Sequence, residues 1–153
     1  MKKILFMNAS PNKNGATVHI AKDLLKDFDY DTMEMSDYNV SQYGIVREDD
    51  EIKDMLNIIK DYDTLVIGTP VYFYTVSGIL KTFIDRLYLL DDAEVLKGKK
   101  LYFFAQGYQP DEETEKTINY LINKMTNLFG ITLEALLVDN SEGQKILKEI
   151  NLK

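Results

Sequence analysis

The stretch ILFMNASPNKNGAT, residues 4–17, passes from an apolar run straight into small hydroxyl and amide residues. A loop of this kind between a buried strand and a helix suits an anion. Successive backbone N–H groups at a helix start point outward with the positive end of the helix dipole, so a phosphate needs no cationic side chain there. Ser10, Asn12, Asn14 and Thr17 can add hydroxyl and amide donors, Ala16 opens the helix, and Gly15 lets the backbone come close. The loop carries neither Gly-Lys-Ser/Thr nor GxGxxG, so it is neither a nucleotide P-loop nor a dinucleotide fingerprint. The competing reading is an ordinary strand-to-helix turn, with Lys13 a solvated charge.

Two further loops hold residues of the same interest. TPVYFYTVSG, residues 69–78, sets Pro70 and Val71 before three aromatics, Tyr72, Phe73 and Tyr74. A loop offering aromatic faces beside backbone N–H and C=O groups fits a flat ring with a polar edge, such as an isoalloxazine. Tyr72 and Phe73 are the expected ring neighbours, and at least one of the three aromatics is expected to fold over the core or into a dimer contact. AQGYQPDE, residues 105–112, adds Gln106, Gly107 and Tyr108, which can close the far side of the ring. Gly-x-x-Pro before a helix is also common turn chemistry.

These loops need a scaffold that brings them together, and the pattern of the chain supplies one. ILFMN reads as strand one, followed by helix one from Ala16 to about Phe28 with its apolar stripe at intervals of three and four. Asp31 to Ser36 alternates weakly as strand two. Asp49 and Asp50 stand where they can cap helix two, striped by Ile52, Met55, Leu56 and Ile59. TLVIG is strand three and stops at Thr69-Pro70. Ser77-Gly78 opens helix three, whose stripe is wide enough for a sheet and for a second subunit. KLYFFA is strand four, Asp111 caps a long helix that Gly130 ends, ITLEALLV is strand five, and Ser141 starts the last helix.

Five strands alternating with five helices predict a parallel sheet covered on both faces by right-handed crossovers. The expected architecture is a flavodoxin-like three-layer α/β/α sandwich with five strands in the order 2-1-3-4-5, one domain spanning residues 1–153. Ligands in such a sheet sit beyond the carboxyl ends of the strands. Here those ends are the loops after Asn8, Thr69 and Ala105.

Composition narrows the chemistry. With 153 residues and 45% hydrophobic content the chain can bury a sizeable core. It contains no Cys, which excludes a disulfide, a thiolate nucleophile and a Cys-ligated cluster within it, and its one histidine, His19, cannot make a His-rich metal site. No metal site is expected. A net charge of −7 repels phosphate backbones and anionic lipids, so neither nucleic acid nor membrane is an expected partner. Ile4 to Met7 is too short for a signal peptide, and no run approaches the ~18 apolar residues of a membrane span. A cytoplasmic location is the expectation.

The segments ILFMNASPNKNGATVHIAKDL and DTLVIGTPVYFYTVSGILKTFIDRL together resemble the NAD(P)H-dependent FMN reductase-like branch of the flavodoxin superfamily, over nearly the whole length. The resemblance implies that Ser10, Asn12, Asn14, Ala16 and Thr17 hold the FMN phosphate. Pro70, Val71, Tyr72 and Phe73 would wrap the isoalloxazine, with Gln106, Gly107 and Tyr108 also touching it. It implies NAD(P)H as co-substrate, a small-molecule electron acceptor and commonly a homodimer. Two departures stand out. NVSQYGIVREDD resembles the cysteine-bearing segment of the related iron–sulfur flavoproteins but holds residues such as Gln42, Tyr43 and Val46, and Asn12 stands where many relatives carry Arg or Lys.

The expected activity is hydride transfer from NAD(P)H to the flavin, then electron transfer to a quinone, a nitro compound or another flavin, with no side chain singled out as catalytic. Tyr72 and Tyr108 either orient the acceptor or pack. Two rivals keep the fold. One is an electron carrier whose acidic surface docks a redox partner protein, and the other is a flavin-free binding domain.

Overall fold

A computed structural model describes residues 3–152. Strand β1 (Ile4–Asn8) is buried along its whole length, and β3 (Thr64–Tyr72) is buried as far as Pro70, as unbroken apolar runs require of strands covered on both sides. Helix α1 (Ala16–Leu24) and strand β2 (Tyr30–Glu34) follow β1, and α2 (Ile52–Ile59) precedes β3. Then come β4 (Thr75–Val76), α3 (Gly78–Leu87), β5 (Lys100–Gly107), α4 (Glu112–Phe129), β6 (Thr132–Asn140) and α5 (Gln144–Glu149). Short 3-10 turns occupy Met35–Asp37 and Asp91–Leu96.

The sheet runs β2-β1-β3-β5-β6, all parallel, with β4 antiparallel to β3 off this path. Side chains of period two divide between its faces. Leu5, Met7, Leu65, Ile67, Leu101 and Phe103 pack with α2, α3 and α4, whereas Ile4, Phe6, Val66, Tyr102 and Phe104 pack with α1 and α5. The edge strands β2 and β6 are only partly covered, which is why their sequences alternate weakly.

The structure corrects the expected count of five strands. A sixth, β4, arises because β3 does not stop at Thr69-Pro70 but continues to Tyr72 and folds back on itself, pairing Val71 with Val76 and Tyr72 with Thr75. β1 pairs with β3 only as far as Gly68, so Pro70 lies where a missing N–H is tolerated.

Helix boundaries shift for local reasons. Helix α1 ends four residues earlier than Phe28, and the strand reading through Ser36 gives way at Met35 to a 3-10 turn. Glu51, not Asp49 or Asp50, stands at the cap of α2 and makes no side-chain cap bond, because Glu51 and Asp49 accept from Asn39 while Asp50 is engaged by Arg86 and Ser41. The last helix starts at Gln144, not Ser141, after Gly143 at φ 67°, and Asp139 Oδ2 accepts from the Lys145 and Ile146 amides. The predicted termini of α4 hold. Asp111 accepts from the Thr114 amide at 2.8 Å, and Gly130 closes the helix in the left-handed region at φ 67°.

Candidate functional site

The first loop is knitted together by its own short polar side chains. Asn8 Oδ1 accepts from the Ser10 amide at 3.0 Å, Ser10 Oγ from the Asn12 amide at 3.1 Å, and Asn12 Oδ1 from the Asn14 amide at 2.9 Å. Those three amides are therefore engaged inside the loop and are not among the successive outward N–H groups expected at the helix start. The outward-facing donors lie further on. The amides of Gly15, Ala16 and Thr17 have no protein acceptor among the described residues, and Gly15 caps α1 without a side chain.

No acidic residue stands in the first turn of α1, whereas α4 carries Asp111 at its cap and Glu112, Glu113 and Glu115 beyond it. The dipole of α4 is neutralised by its own carboxylates, and that of α1 is left for an external anion. Gly15 also makes room within the loop. A Cβ there would lie 2.8 Å from Asn12 Nδ2, so its bareness makes room for the Asn12 side chain. Lys13 is paired with Asp37 at 2.5 Å, and that hydrogen bond holds its ammonium above the ordinary lysine range. Asn14 Oδ1 lies 3.2 Å from His19 Nε2.

Buried hydroxyls fasten this loop to its neighbours. Ser77 Oγ donates to the Ala9 carbonyl at 2.7 Å while accepting from the Leu80 amide at 3.2 Å, so one side chain caps α3 and tethers the first loop. Thr69 Oγ1 accepts from the Ser77 amide, and the Ala9 amide donates to the Gly68 carbonyl at 2.9 Å. Asn8, fully buried, also donates to Glu34 Oε2 at 2.7 Å. The sequence marked Ser77 as a helix start, but nothing in it signals the bond to Ala9, which spans 68 residues.

The second and third loops meet beside the first, at the carboxyl end of the sheet. Pro70 lies opposite Gln106 in the β3–β5 register, and a Cβ on Gly107 would stand 2.9 Å from Val71 Cβ, so these strands need a bare glycine to approach. Gln106 points inward and donates to Thr17 Oγ1 at 3.0 Å. Phe73 and Tyr74 form the two-residue turn between β3 and β4 at φ 43° and 68°, a left-handed pair normally filled by Asn and Gly. Their rings meet edge to face at 5.3 Å. Phe73 is 93% exposed and Tyr108 91%, while Tyr72 and Tyr74 are exposed as well, so none of the three hairpin aromatics folds over the core. Two bulky residues are thus held in a disfavoured conformation with bare aromatic faces, and strain of this kind concentrates at functional turns.

The segment between β2 and α2 is anchored by a buried ion pair that sequence reasoning missed. Arg86 of α3 donates to both carboxylate oxygens of Asp50, at 2.6 and 3.0 Å, and to the Ser41 carbonyl at 2.9 Å. Burial pushes the Asp50 carboxyl up, but the Arg86 hydrogen bond and charge, with the Ser41 and Ile52 amides, outweigh it and hold the group below the usual carboxylate range. A hollow of about 710 Å³ lined by Tyr30, Asp31, Tyr62 and Lys100 lies at the opposite, amino end of the strands, away from all three loops. No group of His, Asp or Glu side chains suited to a metal ion occurs among the described residues, nor any helix long and apolar enough to cross a membrane.

A doubly wound sheet with an anion-ready first turn and an aromatic hairpin at one strand end defines a flavodoxin-like α/β protein. The sequence model of the NADPH-dependent FMN reductases matches residues 2–142, and the chain belongs to that family. FMN is the family's flavin, and a nicotinamide nucleotide its reductant. An iron-sulfur flavoprotein of Archaeoglobus fulgidus is 32% identical over 96 residues, covering 55% of this chain and 48% of the relative, so the chain spans about half of that protein's length. One of Clostridioides difficile is 29% identical over 164 residues, covering 95% of this chain and 71% of the relative. The FMN complex of an FMN-dependent NADH-azoreductase from Bacillus anthracis shares the fold at a TM-score of 0.68 and 15% identity, over 97% of this chain and 93% of that one. This chain has no cysteine with which to hold a cluster.

Proposed function

We propose that this chain is an FMN-dependent NAD(P)H oxidoreductase that passes electrons to a small-molecule acceptor: a quinone, a nitro compound or another flavin. The observation that carries this reading is the first turn of α1, with the amides of Gly15, Ala16 and Thr17 unengaged and no acidic residue within that turn, beside the exposed aromatics of the β3–β4 hairpin. The donor set suits a phosphomonoester at one end and a flat ring at the other.

The amides of Gly15, Ala16 and Thr17, with the side chains of Ser10, Asn12, Asn14 and Thr17, would hold the phosphate. Pro70, Val71, Tyr72 and Phe73 would line one edge of the ring, with Gly107 and Tyr108 on the other. Bound there, FMN supplies the redox chemistry between nicotinamide nucleotide and acceptor. The protein's part is to orient the ring, cover it with aromatic faces and leave one side open. Ser77 holds the phosphate loop at a fixed distance from the aromatic hairpin. No proton-transferring side chain is required.

An apolar groove of about 390 Å³ between α3 and α4, lined by Tyr43, Ile84, Tyr88, Leu121 and Leu128, supports a homodimer. Sedimentation of Leu128→Glu as a monomer beside a dimeric parent is the expected result, and a monomeric parent removes the dimer. The chain is read as one cytoplasmic domain.

Adding FMN to the purified protein and following NAD(P)H oxidation with each acceptor class tests the reading, and acceptor-dependent turnover is expected. A second reading, an electron carrier docking a basic redox partner, draws on the net charge of −7. Negligible turnover with every acceptor alongside fast exchange with a reductase would select it. Failure to quench FMN fluorescence would remove the flavin altogether.

A further inference from the structure

We infer that Gln106 is a positioning residue for the flavin phosphate, acting through Thr17, and that it does not bind the ring. The inference rests on the flavin reading above and concerns which atoms enforce it. Gln106 and Thr17 are both buried, and their side chains meet although 89 residues separate them. Gln106 Nε2 donates to Thr17 Oγ1 at 3.0 Å.

An amide nitrogen has hydrogens to give and cannot accept one, so this contact decides the direction of the threonine hydroxyl. Thr17 Oγ1 accepts from Gln106, and its own hydrogen is left for another acceptor. No protein acceptor takes it among the described residues. The threonine cannot rotate away. Its methyl group lies where a Cβ on Gly68 would stand only 2.8 Å from Cγ2, so the β-branched side chain is gripped between bare strand β3 on one side and Gln106 on the other. The hydroxyl belongs to a residue whose own amide is among the unengaged ones of α1, and with Gln106 as its donor its hydrogen is left to give before any anion arrives. That alignment belongs to the phosphate end of the ligand alone.

The test compares FMN with riboflavin, which has the ring and no phosphate, by quenching of flavin fluorescence in the full-length protein. Gln106→Leu is expected to weaken FMN roughly tenfold and leave riboflavin unchanged, the scale of one hydrogen bond to a charged group. Gln106→Glu keeps the shape but can only accept, so the Thr17 hydroxyl turns towards it and FMN weakens at least as much. In a Thr17→Val background Gln106→Leu has no further effect on FMN. Equal losses for FMN and riboflavin would make Gln106 a ring contact. A Glu variant that binds FMN like the parent would show that Thr17 is the donor of the pair, and either result overturns the inference. A parent protein that binds neither flavin sinks the flavin reading itself, a different failure from a parent that binds both and is indifferent to Gln106.

Discussion

Ser77 Oγ donates to the Ala9 carbonyl at 2.7 Å and in the same position accepts the Leu80 amide, so the cap of α3 is also the clasp of the loop between β1 and α1. Ser77→Ala removes a helix cap and leaves a buried carbonyl without a donor. The expected cost is about 2–4 kcal/mol, the sum of those two effects. Urea denaturation gives the number, and a shift under about 0.5 kcal/mol would show that the clasp is idle.

Ala16 stands in the first turn of α1, where no carboxylate is present. Ala16→Glu favours the helix dipole by about 0.3–1 kcal/mol and at the same time sets a negative charge where the phosphate would lie. Thermal stability is expected to rise slightly while FMN affinity falls by roughly tenfold or more, from like-charge repulsion. Two observables moving in opposite directions separate a ligand site from an ordinary helix start. FMN affinity that is unmoved would argue for the latter.

Phe73 and Tyr74 occupy a left-handed two-residue turn. Replacing them with Asn and Gly relieves a conformational penalty of about 1–2 kcal/mol per residue and strips the hairpin of its rings. The double variant is expected to melt higher and to bind riboflavin more weakly. A variant that melts no higher, judged by calorimetry, would locate no strain in this turn.

Asp50 and Arg86 form a bidentate pair, both nearly buried. Asp50→Asn leaves the guanidinium without its counter-charge and is expected to cost about 3–5 kcal/mol at neutral pH. Because the folded protein holds this carboxyl below its ordinary range, its stabilisation is complete above the unfolded-state pKa and disappears as pH falls through the lowered folded value. The stability gap between parent and Asp50→Asn should therefore narrow in acid. A gap independent of pH would mean that the pair acts through packing alone.

Lys99 illustrates why part of the architecture cannot be read from local pattern. It is buried, its ammonium donates to the carbonyls of Lys60 and Tyr62 beyond the end of α2, and burial lowers its pKa. In the sequence it is one of three residues, Gly98, Lys99 and Lys100, that look like a charged turn. The same blindness concealed Arg86, which lies in helix three outside its apolar stripe, beside Leu87, and is nonetheless buried. Its partner lies 36 residues earlier. The apolar strands, the capped α4 and the three loops at the carboxyl ends of the strands were legible, because each depends on neighbours a few residues away.

The sequence by itself determined the alternation of buried strands and amphipathic helices, and hence the sheet end at which the three loops gather. It also determined the absence of cysteine chemistry. Tertiary structure alone decided that β3 runs past Pro70 into a strained hairpin, that the amides of Ser10, Asn12 and Asn14 are engaged within the loop while those of Gly15 to Thr17 are not, and that Gln106 turns inward to Thr17. The physical reason is range: hydrophobic period and capping are written within one or two turns of chain, whereas a hydroxyl between Ala9 and Ser77, or an amide across 89 residues, acquires its partner only when the strands lie side by side.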